Sequence, residues 1–313
     1  MYERWDKMSP LWLKRGTILR NKFGDFAHDD IIDSVPGSKV KSKDGRGFMF
    51  ALRPTPELWS LALKHRTQIL YNTDISYICL GLDLKPGSIA IESGTGSGSL
   101  STSIARCIAP TGKLHTHDFH QQRADEAKVE FEKNGLGDVV VSYCRDVCAD
   151  GFCCPEPADA VFLDLPSPWT AVPHAARSLK PGGRLCSFSP CIEQVTKTCD
   201  ALRKLRFTGV AGRPCHQPVT DVRMVEVLIR PWEVTTATTR RPMLHPPPPR
   251  AVASGDTGEG NGTEGAEDKK RKVPETGADE AAPARRVVAR PGNEMKGHTG
   301  FLTFATAPIA RKE

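Results

Sequence analysis

The sequence predicts an α/β fold: a mostly parallel, doubly wound sheet with helices on both faces, preceded by a small N-terminal β module. Three observations carry this. From Pro54 onward, short apolar runs rich in β-branched residues alternate with stretches whose apolar residues recur at helical spacing, the pattern of repeated βαβ units. One such run, Gly87-Ser88-Ile89-Ala90-Ile91, leads into a glycine-rich turn, Glu92-Ser93-Gly94-Thr95-Gly96-Ser97-Gly98, and a helical pattern follows directly over 100–108. Before Pro54, strand-like runs are broken by Gly16, Gly24, Pro36-Gly37 and Gly45-x-Gly47, which reads as a separate β unit.

Taken in order, residues 1–53 form the β module, with runs at Thr17-Ile18-Leu19 and Phe48-Met49-Phe50-Ala51-Leu52. In residues 54–235 the expected strands are 88–91, 113–118, 139–143, 160–164, 184–189 and 222–229. Helices lie between them, for example 121–134, where Arg123, Glu126 and Glu130 are placed on the solvent face. Residues 236–296 differ in kind. Pro246 to Pro249 run uninterrupted and 255–266 is rich in Gly, Glu and Thr, so the segment has little to bury and is expected to be disordered. The stretch Gly300-Phe301-Leu302-Thr303-Phe304-Ala305-Thr306 alternates like a strand. The large domain therefore resumes over 297–308, and 236–296 is an insertion within it.

At 313 residues and net charge +6, the chain is long enough to bury one large or two modest cores. No apolar run approaches the ~20 residues needed to cross a bilayer, so no membrane association is expected. The N-terminal stretch has no secretory pattern, and the ten cysteines are expected to be reduced. Cys144, Cys148, Cys153 and Cys154 match no zinc template, so no metal is expected and small apolar fillers is the plainer reading. Lys and Arg stand against Asp and Glu as 11 to 7 over 1–53, 19 to 20 over 54–235 and 11 to 9 over 236–296. The N-terminal excess fits either a face for nucleic acid or a solvated lysine-rich surface. The tetrad Lys269-Lys270-Arg271-Lys272 reads as a nuclear import signal or as solvating charge.

The glycine turn separates two cofactor classes. A dinucleotide turn is G-x-G-x-x-G, whereas this one is Gly94-x-Gly96-x-Gly98 with Glu92 two residues before it, which favours S-adenosylmethionine over NAD. In a doubly wound sheet the ligand lies across the carboxyl ends of the strands, and three acids fall there. Asp118, 20 residues beyond Gly98, can accept from both ribose hydroxyls or cap the helix after it. Asp146 can accept from an adenine amine, with the Val147 amide beside it. Asp164 opens Asp164-Leu165-Pro166-Ser167-Pro168-Trp169, where a carboxylate can take a proton from an adenine amino group as the ring nitrogen attacks a methyl sulfonium. The alternative there is a proline-stiffened turn.

With these motifs assembled, the chain resembles the catalytic subunit of tRNA (adenine-N1)-methyltransferases that modify adenosine 58 of the T loop. The matching stretches include Pro36-Gly37-Ser38-Lys39-Val40, Arg53-Pro54-Thr55-Pro56-Glu57-Leu58-Trp59, His65-Arg66-Thr67-Gln68-Ile69-Leu70-Tyr71, Phe119-His120-Gln121-Gln122-Arg123-Ala124, the glycine turn, the Asp164 loop, Cys186-Ser187-Phe188-Ser189-Pro190-Cys191-Ile192-Glu193-Gln194-Val195 and Gly297-His298-Thr299-Gly300. The resemblance implies a Rossmann-like class I methyltransferase fold. It also implies S-adenosylmethionine contacts at Gln68, Leu70, Glu92, Gly94, Gly96, Ser97, Gly98, Ser99, Asp118, Arg123, Asp146, Val147 and Asp164. Asp164 resembles the family's catalytic acid, and Tyr71, Leu165, Pro166, Ser189, Pro190 and Gln194 fall on stretches that face substrate.

The same resemblance implies tRNA as partner, together with a related non-catalytic tRNA-binding subunit in a heterotetramer of two copies of each. Its implied location is the nucleus, with the cytoplasm left open. Two other readings stand beside it, a non-catalytic tRNA-binding scaffold and a mitochondrial homotetrameric adenine-N1 methyltransferase. Intact strand-end acids argue against the first, and Glu3 and Asp6 against a transit peptide for the second. The chain departs from the family in carrying Asp118 where Glu is common and in a 236–296 insertion without clear counterpart. Only 35 residues also precede Pro36, which reads as a barrel lacking its first strands or a start codon placed late.

Overall fold

Strand alternation from residue 89 onward builds one large sheet, because each apolar run is covered by the helix that follows it. The computed structural model describes residues 2–4, 7–209, 222–239, 284–292 and 300–309. The sheet's seven strands, numbered along the chain, are β1 Ile89–Ser93, β2 Lys113–Asp118, β3 Val140–Cys144, β4 Ala158–Asp164, β5 Leu179–Ser189, β6 Arg223–Glu226 and β7 Phe301–Thr306. Their spatial order is β6-β7-β5-β4-β1-β2-β3. Strands β5, β4, β1, β2 and β3 pair in parallel, and β7 runs antiparallel to both β5 and β6. From β1 the chain builds outward through β2 to β3, then crosses to β4 on the other side. The strand order thus reverses between β1 and β4, and a crevice opens at such a point.

Both faces are packed. Against one lie helices Asn72–Gly81, Ser99–Ile108 and Gln121–Lys133, with Ile78, Leu100, Ile104, Ile108, Phe131, Phe162 and Phe304 in a shared core. Helices Pro168–Ser178 and Ile192–Lys204 cover the other, around Ile91, Val161, Leu163, Val172, Leu185 and Leu202. Leu100, Ile104 and Ile108 are spaced four apart, so one stripe of the helix is buried. Each large side chain sealed this way contributes about 1.5–3 kcal/mol.

The N-terminal module is a four-stranded antiparallel sheet of Lys7–Met8, Tyr2–Arg4, Phe48–Phe50 and Lys39–Lys41 with a separate hairpin, Ile18–Asn21 against Gly24–Ala27. Phe26, Ile31, Val40 and Met49 fill its small core. The boundary expected at residue 53 does not mark a separation, since residues 1–229 and 296–313 form one compact unit. Trp12 meets Trp59 edge to face at 6.1 Å across it.

Residues 230–295 form a second unit. Disorder was expected throughout 236–296, and at both described ends the structure corrects this. Trp232–Thr239 pairs antiparallel with Ala284–Pro291 over eight residues each, closing with Thr239 opposite Ala284. The cause is local: Thr235, Thr236, Thr238 and Thr239 face a strand carrying Val287 and Val288, and β-branched residues favour a strand. Averaging them with the Pro- and Gly-rich interior hid that signal. The basic tetrad 269–272 lies outside the described residues, as does 297–299. Among the described residues, no helix is long and apolar enough to cross a membrane.

Candidate active site

The glycine turn closes the end of β1 by borrowing from β2. The amides of Gly94 and Thr95 both donate to the His117 carbonyl, at 2.9 and 3.2 Å, which bends the chain back across the strand ends. Gly94 adopts φ +97° and Gly96 φ +52°, where a Cβ is strained. A Cβ at Gly94 would sit 2.3 Å from the Asp164 carbonyl oxygen, and one at Gly96 2.6 Å from Thr67 Oγ1. At Gly94 and Gly96 the turn therefore presents bare main chain.

Asp118 ends β2 and faces the turn. Its Oδ2 accepts from Gly96 N at 3.0 Å and its Oδ1 from His120 N at 2.9 Å, and each oxygen keeps a lone pair for a further donor. His117 beside it is fully buried. Its Nδ1 donates to the Glu92 carbonyl at 3.1 Å and its Nε2 accepts from Cys153 N at 2.9 Å. These two partners define a neutral ring with the proton on Nδ1, and burial pushes its pKa down to about 4.

Glu92 lies sealed beneath the turn. Its Oε2 accepts from Ser101 Oγ at 2.5 Å and Thr116 Oγ1 at 2.7 Å, but burial outweighs these hydroxyls and holds its pKa up at about 7. Asp164 ends β4, and burial raises its pKa to about 6. Two carboxyls at one cleft thus titrate near neutrality, whereas an ordinary surface carboxylate titrates near 4.

Two cavities meet here. One of about 250 Å³ is lined by Thr67, Gln68, Ile69, Leu70, Glu92, Gly94, Thr95, Gly96, Ser97, Ser99, Leu100, Asp118, Arg123, Phe162 and Asp164. The other, about 380 Å³, is lined by Ser93, Gly94, Asp118, Phe119, His120, Arg123, Arg145, Asp146, Val147, Cys148, Asp164, Leu165, Pro166 and Ser167. They share Gly94, Asp118, Arg123 and Asp164. The result is a bilobed cleft with bare backbone at Gly94 and two acids, Asp118 and Asp164, where the lobes meet, an arrangement suited to a nucleoside carrying a chain on its ribose.

Most residues expected at the site come together, though several have a second job. Ser97 and Ser99 line the first lobe, yet their hydroxyls are engaged with the 65–71 segment. Gly98 lies outside both lobes, as the left-handed residue before helix Ser99–Ile108 with the Phe131 ring behind it. Asp146 caps the short helix Val147–Asp150, Oδ1 accepting from Cys148 N at 2.9 Å and Ala149 N at 3.3 Å.

Of the residues expected to face substrate, Leu165 and Pro166 line the second lobe and Tyr71, Ser189, Pro190 and Gln194 line neither. Gln194 is instead a tether, its Nε2 donating to the Pro166 carbonyl at 3.0 Å. Ser189 lies in β5 fully buried. Thr67, Ile69, Ser93, Thr95, Leu100, Phe119, His120, Arg145, Cys148, Phe162 and Ser167 also line the lobes and were not singled out as site residues from sequence, although several stand inside its motifs. Nearly all adjoin residues that were, so widening each motif by one or two positions finds them.

Comparison with known proteins follows the same line. The model of the tRNA methyltransferase complex GCD14 subunit family matches residues 47–307. The tRNA (adenine(58)-N(1))-methyltransferase catalytic subunit of Dictyostelium discoideum is 41% identical over 309 residues, covering 97% of this chain and 93% of that protein. The corresponding catalytic subunit of Candida albicans is 36% identical over 328 residues, covering 95% and 91%. Among solved structures, a SAM-dependent O-methyltransferase from Thermotoga maritima superposes with TM-score 0.65 at 24% identity, covering 97% of this chain and 89% of that one. The tRNA (m1A58) methyltransferase TrmI from Aquifex aeolicus gives 0.59 at 22%, covering 94% and 90%. Both share the fold.

Proposed function

The chain belongs to the family of tRNA methyltransferase complex GCD14 subunits, and from that membership we propose how its own residues transfer a methyl group from S-adenosylmethionine to N1 of adenosine 58 in tRNA. The observation that carries the reading is the placement of Asp164, a carboxyl poised near neutral pH at the junction of the two lobes. When bound, S-adenosylmethionine supplies an electrophilic methyl on sulfur. Asp118 would hold its ribose hydroxyls, the bare backbone at Gly94 and Gly96 would admit it closely, and Asp146 with the Val147 amide would receive its adenine. Arg123 and the 67–70 stretch close the first lobe.

Asp164 takes the proton from the exocyclic amine of the target adenine, so that positive charge does not accumulate on the ring as N1 acquires its substituent. The ionised form is the base. With a pKa of about 6, ionisation and hence turnover rise with pH through that value, and most of the base is available at neutral pH. Pro166 and Pro168 limit the motion of the loop behind it, and Gln194 ties that loop to helix Ile192–Lys204.

The working assembly is a complex with a related, non-catalytic subunit, two copies of each; the family's description as a complex subunit supports the complex, and the partner's kind and number come from the resemblance alone. The location is the nucleus, supported by the basic tetrad 269–272. The test uses the chain co-purified with its partner. Asp164→Asn is expected to lower kcat by about 10²-fold or more, the scale of a lost general base, to erase the acid limb near pH 6, and to leave S-adenosylmethionine binding within a few-fold. Turnover retained by a folded Asp164→Asn protein rules out the base. A chain that purifies alone and methylates tRNA alone rules out the heterotetramer.

A further inference from the structure

Segment 65–71 crosses the glycine turn, and it is fastened there by more than loop packing. Ser97 Oγ accepts from Arg66 N at 2.9 Å and Thr67 N at 3.1 Å. Ser99 Oγ donates to the Leu70 carbonyl at 3.2 Å and meets Ser60 Oγ at 2.7 Å. Ile69 packs with Trp59 and Leu63. The Arg66 side chain reaches further still. Its Nε donates to the Gly96 carbonyl at 3.5 Å, and its Nη1 donates to Glu130 Oε2 at 2.9 Å on helix Gln121–Lys133. The sequence had placed Glu130 in solvent, but the two side chains are only 11% and 16% exposed.

An ion pair this far out of water adds little to stability, because desolvating both charges offsets their attraction. Here it also leaves Arg66 Nη2 buried without a partner among the described residues, a further cost. What the pair does accomplish is geometric. Thr67, Gln68, Ile69 and Leu70 form one wall of the first lobe, and Gly94 and Gly96 form another. Arg66 bolts the first wall to the turn and to the helix behind it in a single side chain.

We propose that segment 65–71 is a strap across the cofactor lobe and that the Arg66–Glu130 pair is its latch, making Arg66 a positioning residue that sets how tightly and how long S-adenosylmethionine is held. This rests on the cofactor reading given above. Loosening the latch frees the wall without touching Asp164, so the effect falls on cofactor retention and not on the chemical step.

The experiment uses the full chain in its complex, with Glu130→Gln, Arg66→Lys and the double variant. Calorimetry gives the S-adenosylmethionine Kd, stopped-flow its dissociation rate, steady-state kinetics KM and kcat, and thermal melting the fold. In Glu130→Gln, Kd, KM and the dissociation rate are expected to rise on the order of tenfold with kcat changed by less than about twofold. Arg66 Nε also lies 3.9 Å from Glu126 Oε2 and bonds Gly96, so Arg66→Lys is expected to cost at least as much as Glu130→Gln, and the double variant no more than Arg66→Lys alone. An unchanged Kd and dissociation rate in folded Glu130→Gln overturns the latch. So does a parallel fall of kcat, KM affinity and melting temperature, which marks a merely structural pair. Should Glu130→Gln fail to fold, Arg66→Lys decides alone: it keeps the charge but loses the fork, and faster cofactor release supports the latch while unchanged release overturns it. A wild-type chain that binds no S-adenosylmethionine removes the cofactor reading itself, an outcome distinct from a wild type that binds while the variants bind equally well.

Discussion

Glu92 makes the stability of this fold fall as pH rises, independently of catalysis. Its carboxyl titrates at about 7 when folded, well above the range near 4 of an exposed glutamate, so between those values the folded chain keeps a proton that the unfolded chain has released. Stability therefore declines across that window and stays low above it, by a contribution on the order of 3 kcal/mol. Glu92→Gln keeps an acceptor for Ser101 and Thr116 and removes the charge. Its melting temperature is expected to exceed that of wild type at pH 8 and to converge with it near pH 5. Equal pH slopes in the two proteins would refute the assignment. Asp164 obeys the same sign for stability, but its ionised form is the base proposed above, so on that reading stability and turnover move in opposite directions through pH 6. At this scale the acids were legible in the sequence because strand ends are local features. The occupations of Ser97, Ser99 and Gln194 were not, since their partners lie about 30 residues away in the chain.

Among elements, β2 was read with its bounds intact, and the others to within a few residues except β5, which starts at Leu179 and not at 184. Pro181 and two glycines masked its first half, which the β4 edge orders by pairing Ala158 with Leu179. The hairpin of residues 232–239 and 284–291 was hidden in the same way. Because Thr239 stands directly opposite Ala284, strand spacing of about 5 Å is short enough for a two-residue turn. Replacing 240–283 by Asn-Gly, the sequence that favours such turns, is expected to leave melting temperature and S-adenosylmethionine affinity unchanged. The same variant lacks the tetrad 269–272, so nuclear accumulation of a fluorescent fusion is expected to drop. A large loss of stability would show that the excised stretch contributes to the fold, and undiminished accumulation would remove the import signal.

For the molecule as a whole, pattern alone specified the doubly wound sheet, since alternation of element types leaves few topologies open. It did not show that the N-terminal module joins the same compact unit, because contacts such as Trp12 on Trp59 are tertiary. The strand that completes the sheet is β7, with Thr303 facing Ser187 on one side and Met224 on the other. Proline at 303 removes an amide from a strand paired on both edges. Thr303→Pro is accordingly expected to yield no cooperative melting transition, and a cooperative one near the wild-type temperature would contradict the topology.

That position of β7 also fixes a timetable for the nascent chain. Among the described residues strand β6 bonds only to β7, and β5 offers an uncovered edge until β7 arrives, more than 100 residues after β5 has left the ribosome. During translation at about 5–20 residues per second, that edge stays open for several seconds as a template for stray strands. Demand for chaperones should therefore be concentrated in the interval between synthesis of residues 189 and 301.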